Sequence, residues 1–307
     1  MTNANQKLNR KAWQNYWTDG RASGAIGCLP DATPEIELLQ KEFWESSLGK
    51  LRRKAKIVDL ATGDGSVLRL IHGIRKDFKL IGIDYSSELP ATPKHIKLHA
   101  NVDMEDMPFA KKSVSAFVSR FGIEYGNVDN IAREIMRTLM PQGSFAFLMH
   151  HSDSPIHAIN EARAEQLTWA LDDQKVIAKS EAFLRSRQQL GSFVPSGFEN
   201  SVNLAIEKFG RQSVATEFCQ AVVQTLAGGL DKPVALCLSI IGQLNNHSRQ
   251  ETRRIHAMIA ASKDDVGMRV FEGQLEANEL HVLNRFPLML ESEGKPIGWA
   301  INGQKSA

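Results

Sequence analysis

Ile57-Val58-Asp59-Leu60-Ala61-Thr62-Gly63-Asp64-Gly65-Ser66 is the stretch that decides the fold. A short, mostly apolar run gives way to a turn of small residues. The turn leads into Ser66–Arg75, a helix-like segment. A strand, a tight turn and a helix are expected in that order. Gly63 and Gly65 suit the turn, because a residue without a Cβ enters left-handed backbone freely and lets a ligand approach the main chain.

Working outward, the same alternation repeats. Apolar runs at Ile57–Leu60, Leu80–Ile83, Ile96–Leu98, Val114–Val118 and Phe145–Met149 read as strands, with helical segments at Ser66–Arg75 and Asp129–Leu139. Strands alternating with helices build βαβ units, whose crossovers are right-handed, so an α/β doubly wound sheet follows. Ligands of such sheets bind at the carboxyl ends of the strands. Before this region, Trp13, Tyr16 and Trp17 sit at helical spacing, Gly20 to Gly27 break the pattern, and Pro34 opens a helix carrying Ile36, Leu38, Leu39, Phe43 and Trp44. Beyond Pro155 the strand signals vanish for about a hundred residues. Val214, Phe218, Val222 and Leu226 instead mark one helical face, as do Ile255, Met258 and Ile259. Phe286–Leu290 and Pro296–Ile301, separated by a turn with Gly294, predict an antiparallel hairpin at the C-terminal end.

Bulk properties narrow the function. The 307 residues carry a formal net charge of +2, which argues against a dedicated nucleic-acid binder with its basic face. Cys28, Cys219 and Cys237 fit neither a disulfide framework nor a metal-ligand spacing, and a reducing compartment is the expectation. Met1–Arg10 is polar, and no apolar run reaches the roughly 20 residues of a membrane span. A soluble cytoplasmic protein without metal, membrane or nucleic-acid partner is expected.

The glycine turn is compatible with two kinds of nucleotide ligand. A nicotinamide or flavin site asks for G-x-G-x-x-G, but the third glycine position holds Leu68. Asp59 followed by Ala-Thr-Gly-Asp-Gly resembles instead the first motif of the class I S-adenosylmethionine-dependent methyltransferases. Asp84, at the end of Leu80-Ile81-Gly82-Ile83-Asp84, stands where an acid accepts hydrogen bonds from ribose hydroxyls. Further segments resemble the family in order: Asn101-Val102-Asp103-Met104 after strand three, Pro108-Phe109 before strand four, the Pro141–Gly143 turn before strand five, and Gly298-Trp299-Ala300 in the last strand.

The resemblance covers roughly residues 55–151 and 281–305. It implies a seven-stranded Rossmann-like sheet binding S-adenosylmethionine, with S-adenosylhomocysteine as product. The cofactor would lie against Asp59, Ala61, Thr62, Gly63, Gly65, Asp84 and Tyr85. Asp103 would receive the adenine amino group, Met104 would pack on the ring, and Ser119 and Arg120 would follow strand four. In many relatives an N-terminal aromatic helix closes over the cofactor, which nominates Trp17 and Arg21. The implied organisation is a helical cap over residues 1–50, a cofactor domain over 51–154 and 281–307, and a helical substrate or lid subdomain over 155–280.

Methyl transfer from a sulfonium needs alignment first, and a base where the acceptor carries a proton. His150 and His151 follow strand five at the ligand end of the sheet, and Glu124 follows strand four; these are the candidate bases. Phe121 and Tyr125 are candidate substrate contacts. The acidic dipeptide-Pro-aromatic motif of amino-methylating DNA enzymes and the Pro-Cys pair of cytosine methylation are both absent. The leading expectation is methylation of a small molecule at oxygen, nitrogen or carbon. Non-methyl chemistry on the same cofactor, and a binding module using the helical insertion, are the alternatives. That insertion is suited to a substrate lid or to homodimerisation.

Overall fold

A computed structural model of the chain describes residues 33–190 and 197–306. Trp13, Tyr16, Trp17, Arg21 and Cys28 lie outside the described residues. The chain divides into two compact units. One comprises the described residues up to Ala158 together with Ala257–Ser306, the other Ile159–His256.

The first unit holds a seven-stranded sheet in the order β3-β2-β1-β4-β5-β7-β6. Its strands are β1 (Lys56–Leu60), β2 (Lys79–Ile83), β3 (Ile96–His99), β4 (Val114–Arg120), β5 (Leu139–Met149), β6 (Leu280–Leu290) and β7 (Lys295–Lys305). Strands β1 to β5 run parallel, whereas β7 is antiparallel to both β5 and β6. The sheet is therefore Rossmann-like with a C-terminal hairpin, as the sequence implies. The order reverses at β1, flanked by β2 and β4, so the switch point lies at the turn after β1.

Period-two alternation distributes side chains to two faces. Ile57 joins Phe43, Trp44, Val67, Leu68 and Ile71 in one core, where helices α1 (Pro34–Leu48) and α2 (Ser66–Ile74) pack. Val58 and Leu60 join Ile131, Ile135, Met268, Phe271 and Leu275 on the other face, under α3 (Val128–Thr138) and the C-terminal helix Asp265–Ala277. Helix α1 begins as its sequence dictates: the Thr33 hydroxyl accepts from the Ile36 amide, and Pro34 takes the first position, where no donor is needed.

One expectation changes in detail. The Pro141–Gly143 segment is not a turn ahead of strand five but an irregularity inside it. Val114 pairs with Leu139 and Ala116 with Ser144, so three extra residues are absorbed on β5, with Gln142 at φ 58°. Pro141 can neither donate to the ladder nor continue it regularly, and the strand bulges around it.

The second unit is helical and has its own core. It contains most of α4 (Pro155–Thr168) and of α8 (Val234–Ala261), with a π-turn at Trp169–Asp173, α5 (Val176–Leu190), α6 (Gly197–Phe209) and α7 (Val214–Ala227) between them. Phe218, Val222 and Leu226 pack there with Trp169, Leu184 and Ile241. Arg187 is buried and bonds the carbonyls of Gly229 and Lys232, tying down the α7–α8 connection. No helix of the described residues is long and apolar enough to cross a membrane.

Candidate active site

The turn after β1 is built from left-handed backbone. Ala61 (φ 53°), Gly63 (φ 53°) and Gly65 (φ 74°) all adopt it, and Gly65 ends the turn as the residue preceding α2. Gly65 has no side chain to cap the helix, so Asp64 substitutes: its Oδ1 accepts from the Ser66 amide at 2.9 Å. Arg69 donates to Asp64 Oδ2 at 2.8 Å and holds that carboxylate in place.

Asp84 ties the turn to the end of β2. Its Oδ2 accepts from the Gly63 amide and its Oδ1 from the Ser86 amide, both at 2.8 Å. The next segment is pinned alongside, because the Val102 amide donates to the Asp84 carbonyl. Asp103 follows, exposed, with Oδ1 accepting from the Glu105 amide. Met104 lies with its methyl carbon against Gly126. Tyr85 is 42% exposed beside Asp84.

Asp59 is buried within β1. Its Oδ2 accepts from the Thr62 hydroxyl at 2.6 Å, and its Oδ1 has no partner among the described residues. Burial pushes this carboxyl up to about 7; the Thr62 hydrogen bond and the Arg120 charge pull it down, and Asp84 and Asp64 add repulsion. Arg120, at the end of β4, donates to Gln40 Oε1 at 2.7 Å and to Ser66 Oγ at 2.6 Å. A guanidinium is thus fixed beside the first residue of α2.

Ser119 links three segments. Its fully buried hydroxyl donates to the Leu60 carbonyl at 2.9 Å and accepts from the Ile123 amide at 3.1 Å. It braces β4 against β1. The following residues come close to the glycine turn: a Cβ on Gly122 would stand 2.6 Å from Ala61 Cβ. Phe121 takes φ 56°, strained for a bulky residue and held by its amide bond to the Leu148 carbonyl.

Of the candidate bases, the structure brings two together and leaves the third apart. Glu124, in the 3₁₀ turn Ile123–Tyr125, places Oε1 2.8 Å from His150 Nδ1 and 3.0 Å from the His150 amide. Their side chains are 0% and 2% exposed. Glu124 Oε2 and His150 Nε2 are buried without partners among the described residues. The Phe121 ring lies 4.4 Å from the His150 ring, and the Tyr125 ring meets it edge-on at 5.9 Å. His151 instead accepts from the Asp153 amide at Nδ1 and stacks on Trp299 at 4.7 Å; burial lowers its basicity.

Comparison with known proteins bears on the domain and its fold. Residues 58–147 match the family model described as "Methyltransferase domain". Over that stretch the chain carries a methyltransferase domain. No curated protein matches the sequence. Among solved structures, a chain of the complex between the Haloferax volcanii Trm112 methyltransferase activator and a methyltransferase is 13% identical, with TM-score 0.50 over 96% of this chain and 98% of that one. The plantazolicin methyltransferase BpumL, in complex with SAH, is 11% identical, with TM-score 0.50 over 99% and 98%. The Burkholderia thailandensis 1,6-didemethyltoxoflavin-N1-methyltransferase, with bound 1,6-didemethyltoxoflavin and S-adenosylhomocysteine, is 9% identical, with TM-score 0.50 over 98% and 89%. These likenesses concern the fold of the methyltransferase domain.

Sequence reading misses Gln40 and the pairing of Glu124 with His150. Gln40 is 3% exposed on the α1 face that buries Ile36, Phe43 and Trp44. A polar residue falling on that apolar stripe is the available signal for it. Glu124 and His150 lie 26 residues apart on different strand ends, and only the parallel β4–β5 pairing joins them.

Proposed function

We propose that this chain is an S-adenosylmethionine-dependent methyltransferase acting on a small-molecule acceptor, with the cofactor seated on the turn after β1. The observation that carries the reading is Asp84 joining β2 to the amide of Gly63. Each carboxylate oxygen spends one lone pair on backbone and keeps another. The ribose hydroxyls can therefore be bound without breaking the turn.

Two further features fit the same ligand. The Arg120 guanidinium and the amino end of α2 bring positive potential together, which suits the carboxylate of the methionine portion. Asp59 keeps a buried acceptor, Oδ1, facing no described partner, which suits a donor of the ligand. Asp103 and Met104 would hold the adenine. When bound, the sulfonium supplies an electrophilic methyl group and departs as a neutral thioether. The chain's own residues bind, orient and exclude water; Phe121 and Tyr125 would wall the acceptor. A small acceptor accords with the near-neutral net charge and with a fold that, in the Burkholderia protein, holds a small acceptor and S-adenosylhomocysteine together.

Calorimetry with S-adenosylhomocysteine tests this. Asp84→Ala removes the acceptor of the ribose hydroxyls and leaves them unpaired in the bound state, at a cost of about 1–3 kcal/mol, so affinity should fall roughly five- to 150-fold. A wild-type chain that binds neither S-adenosylmethionine nor S-adenosylhomocysteine overturns the proposal.

A further inference from the structure

We infer that His150 Nε2 is the base that deprotonates the acceptor, that Glu124 positions it, and that the acceptor carries an O–H or N–H on an unsaturated ring. This rests on the methyltransferase reading above and deepens it. An ionised carboxylate only accepts hydrogen bonds, so a Glu124 carboxylate 2.8 Å from Nδ1 requires the proton to sit on Nδ1. The same Oε1 takes the backbone amide of His150, which fixes the ring against the main chain. With Nδ1 protonated, Nε2 presents a lone pair.

That lone pair is buried and has no donor among the described residues. An N–H at Nε2 would have no partner among the described residues, so this nitrogen is placed to receive a proton from a bound acceptor. The carboxylate at Nδ1 is placed to stabilise the imidazolium once a proton arrives, as in other carboxylate–histidine pairs. Phe121 and Tyr125 line the ring with aromatic surface. A flat, unsaturated acceptor matches those walls, and its proton is the group that an unpaired imidazole nitrogen would receive.

The location is right for methyl transfer. Phe121 is followed by Gly122, which backs directly onto Ala61 of the glycine turn. The step balances: the acceptor's proton moves to Nε2 as its electron pair forms the new bond to the methyl carbon. The S–C pair returns to sulfur, and the positive charge leaves the sulfonium and reappears on the imidazolium.

The test uses the full chain labelled with 15N-histidine, observed by long-range 1H–15N correlation in its S-adenosylhomocysteine complex. One imidazole should show a protonated Nδ1 and a bare Nε2, absent from His150→Gln and shifted toward the Nε2–H tautomer in Glu124→Gln. Adding phenol should move that Nε2 resonance, and adding toluene, of the same shape but without the hydroxyl, should not. Against a panel of phenols and aromatic N–H heterocycles, His150→Gln should form S-adenosylhomocysteine from S-adenosylmethionine roughly 10²–10⁴-fold more slowly, while its Kd for S-adenosylhomocysteine stays within threefold of wild type. A His150 ring in the Nε2–H tautomer, or equal responses to phenol and toluene, overturns the inference even when S-adenosylhomocysteine binds normally. Failure of S-adenosylhomocysteine to bind the wild type would instead sink the cofactor assignment, and the tautomer measured on the free chain would still decide the pair.

Discussion

Asp59 is the residue whose chemistry departs furthest from its ordinary value. An unfolded aspartate ionises near 3.8, whereas burial raises this one to about 7. Below pH 3.8 both folded and unfolded chains hold the proton, and ionisation neither favours nor opposes folding. Between pH 3.8 and 7 the unfolded chain loses its proton first, so stability declines across that window and levels off above it. Asp59→Asn keeps an acceptor for the Thr62 hydroxyl but removes the charge. Its melting temperature should exceed that of the wild type at pH 8 and converge with it at pH 4, as followed by circular dichroism. Equal melting temperatures at both pH values would mean that solvent or ligand, not burial, sets this carboxyl. The neighbouring residues show what could be read in advance. Gly63, Gly65 and Asp84 are legible because a left-handed turn and a strand-end acid each leave a mark in the local sequence. Strand position alone does not reveal that the Ser119 hydroxyl bonds Leu60 and Ile123.

At the scale of elements, the turn after β1 and the loop after β4 support each other through a contact without side-chain space. A Cβ on Gly122 would stand 2.6 Å from Ala61 Cβ, 3.0 Å from Ser119 Oγ and 3.2 Å from the Leu60 carbonyl. Gly122 has φ −141°, so alanine meets no backbone strain there and the whole effect comes from crowding. Overpacking of this kind costs about 1–3 kcal/mol. Gly122→Ala should lower the melting temperature and weaken S-adenosylhomocysteine binding together, because it displaces the turn that holds the ligand. Gly73→Ala, in α2 with nothing within 4 Å of the added carbon, should stabilise by up to about 1 kcal/mol and leave binding alone. If Gly122→Ala melts early yet binds normally, the two loops are not coupled. The strands around these loops were legible because Val, Ile, Leu and Phe crowd them, buried as they are on both faces. The start of β5 was not, since Pro141 and Gln142 look like a turn from local residues and only the pairing with β4 shows a bulge.

Each of the two units buries its own apolar side chains, and this decides how a ligand should affect the molecule. Ile57, Phe117 and Phe271 belong to cores made entirely within the sheet unit; Phe218, Leu184 and Ile241 belong to one made entirely within Ile159–His256. The glycine turn, Asp84, Arg120 and the Glu124–His150 pair all lie in the sheet unit. A ligand that binds only the folded state stabilises what must be folded to bind it, by about 2.7 kcal/mol at a concentration one hundred times its Kd. Amide hydrogen exchange at that concentration of S-adenosylhomocysteine should therefore slow about 100-fold for the slowest amides of β1, β2 and β4. Amides of α7, in the middle of the helical unit, should exchange at their unliganded rate. Equal protection of α7 would show that the chain unfolds as one cooperative body despite its two units. Protection confined to the sheet would show that the helical unit opens on its own.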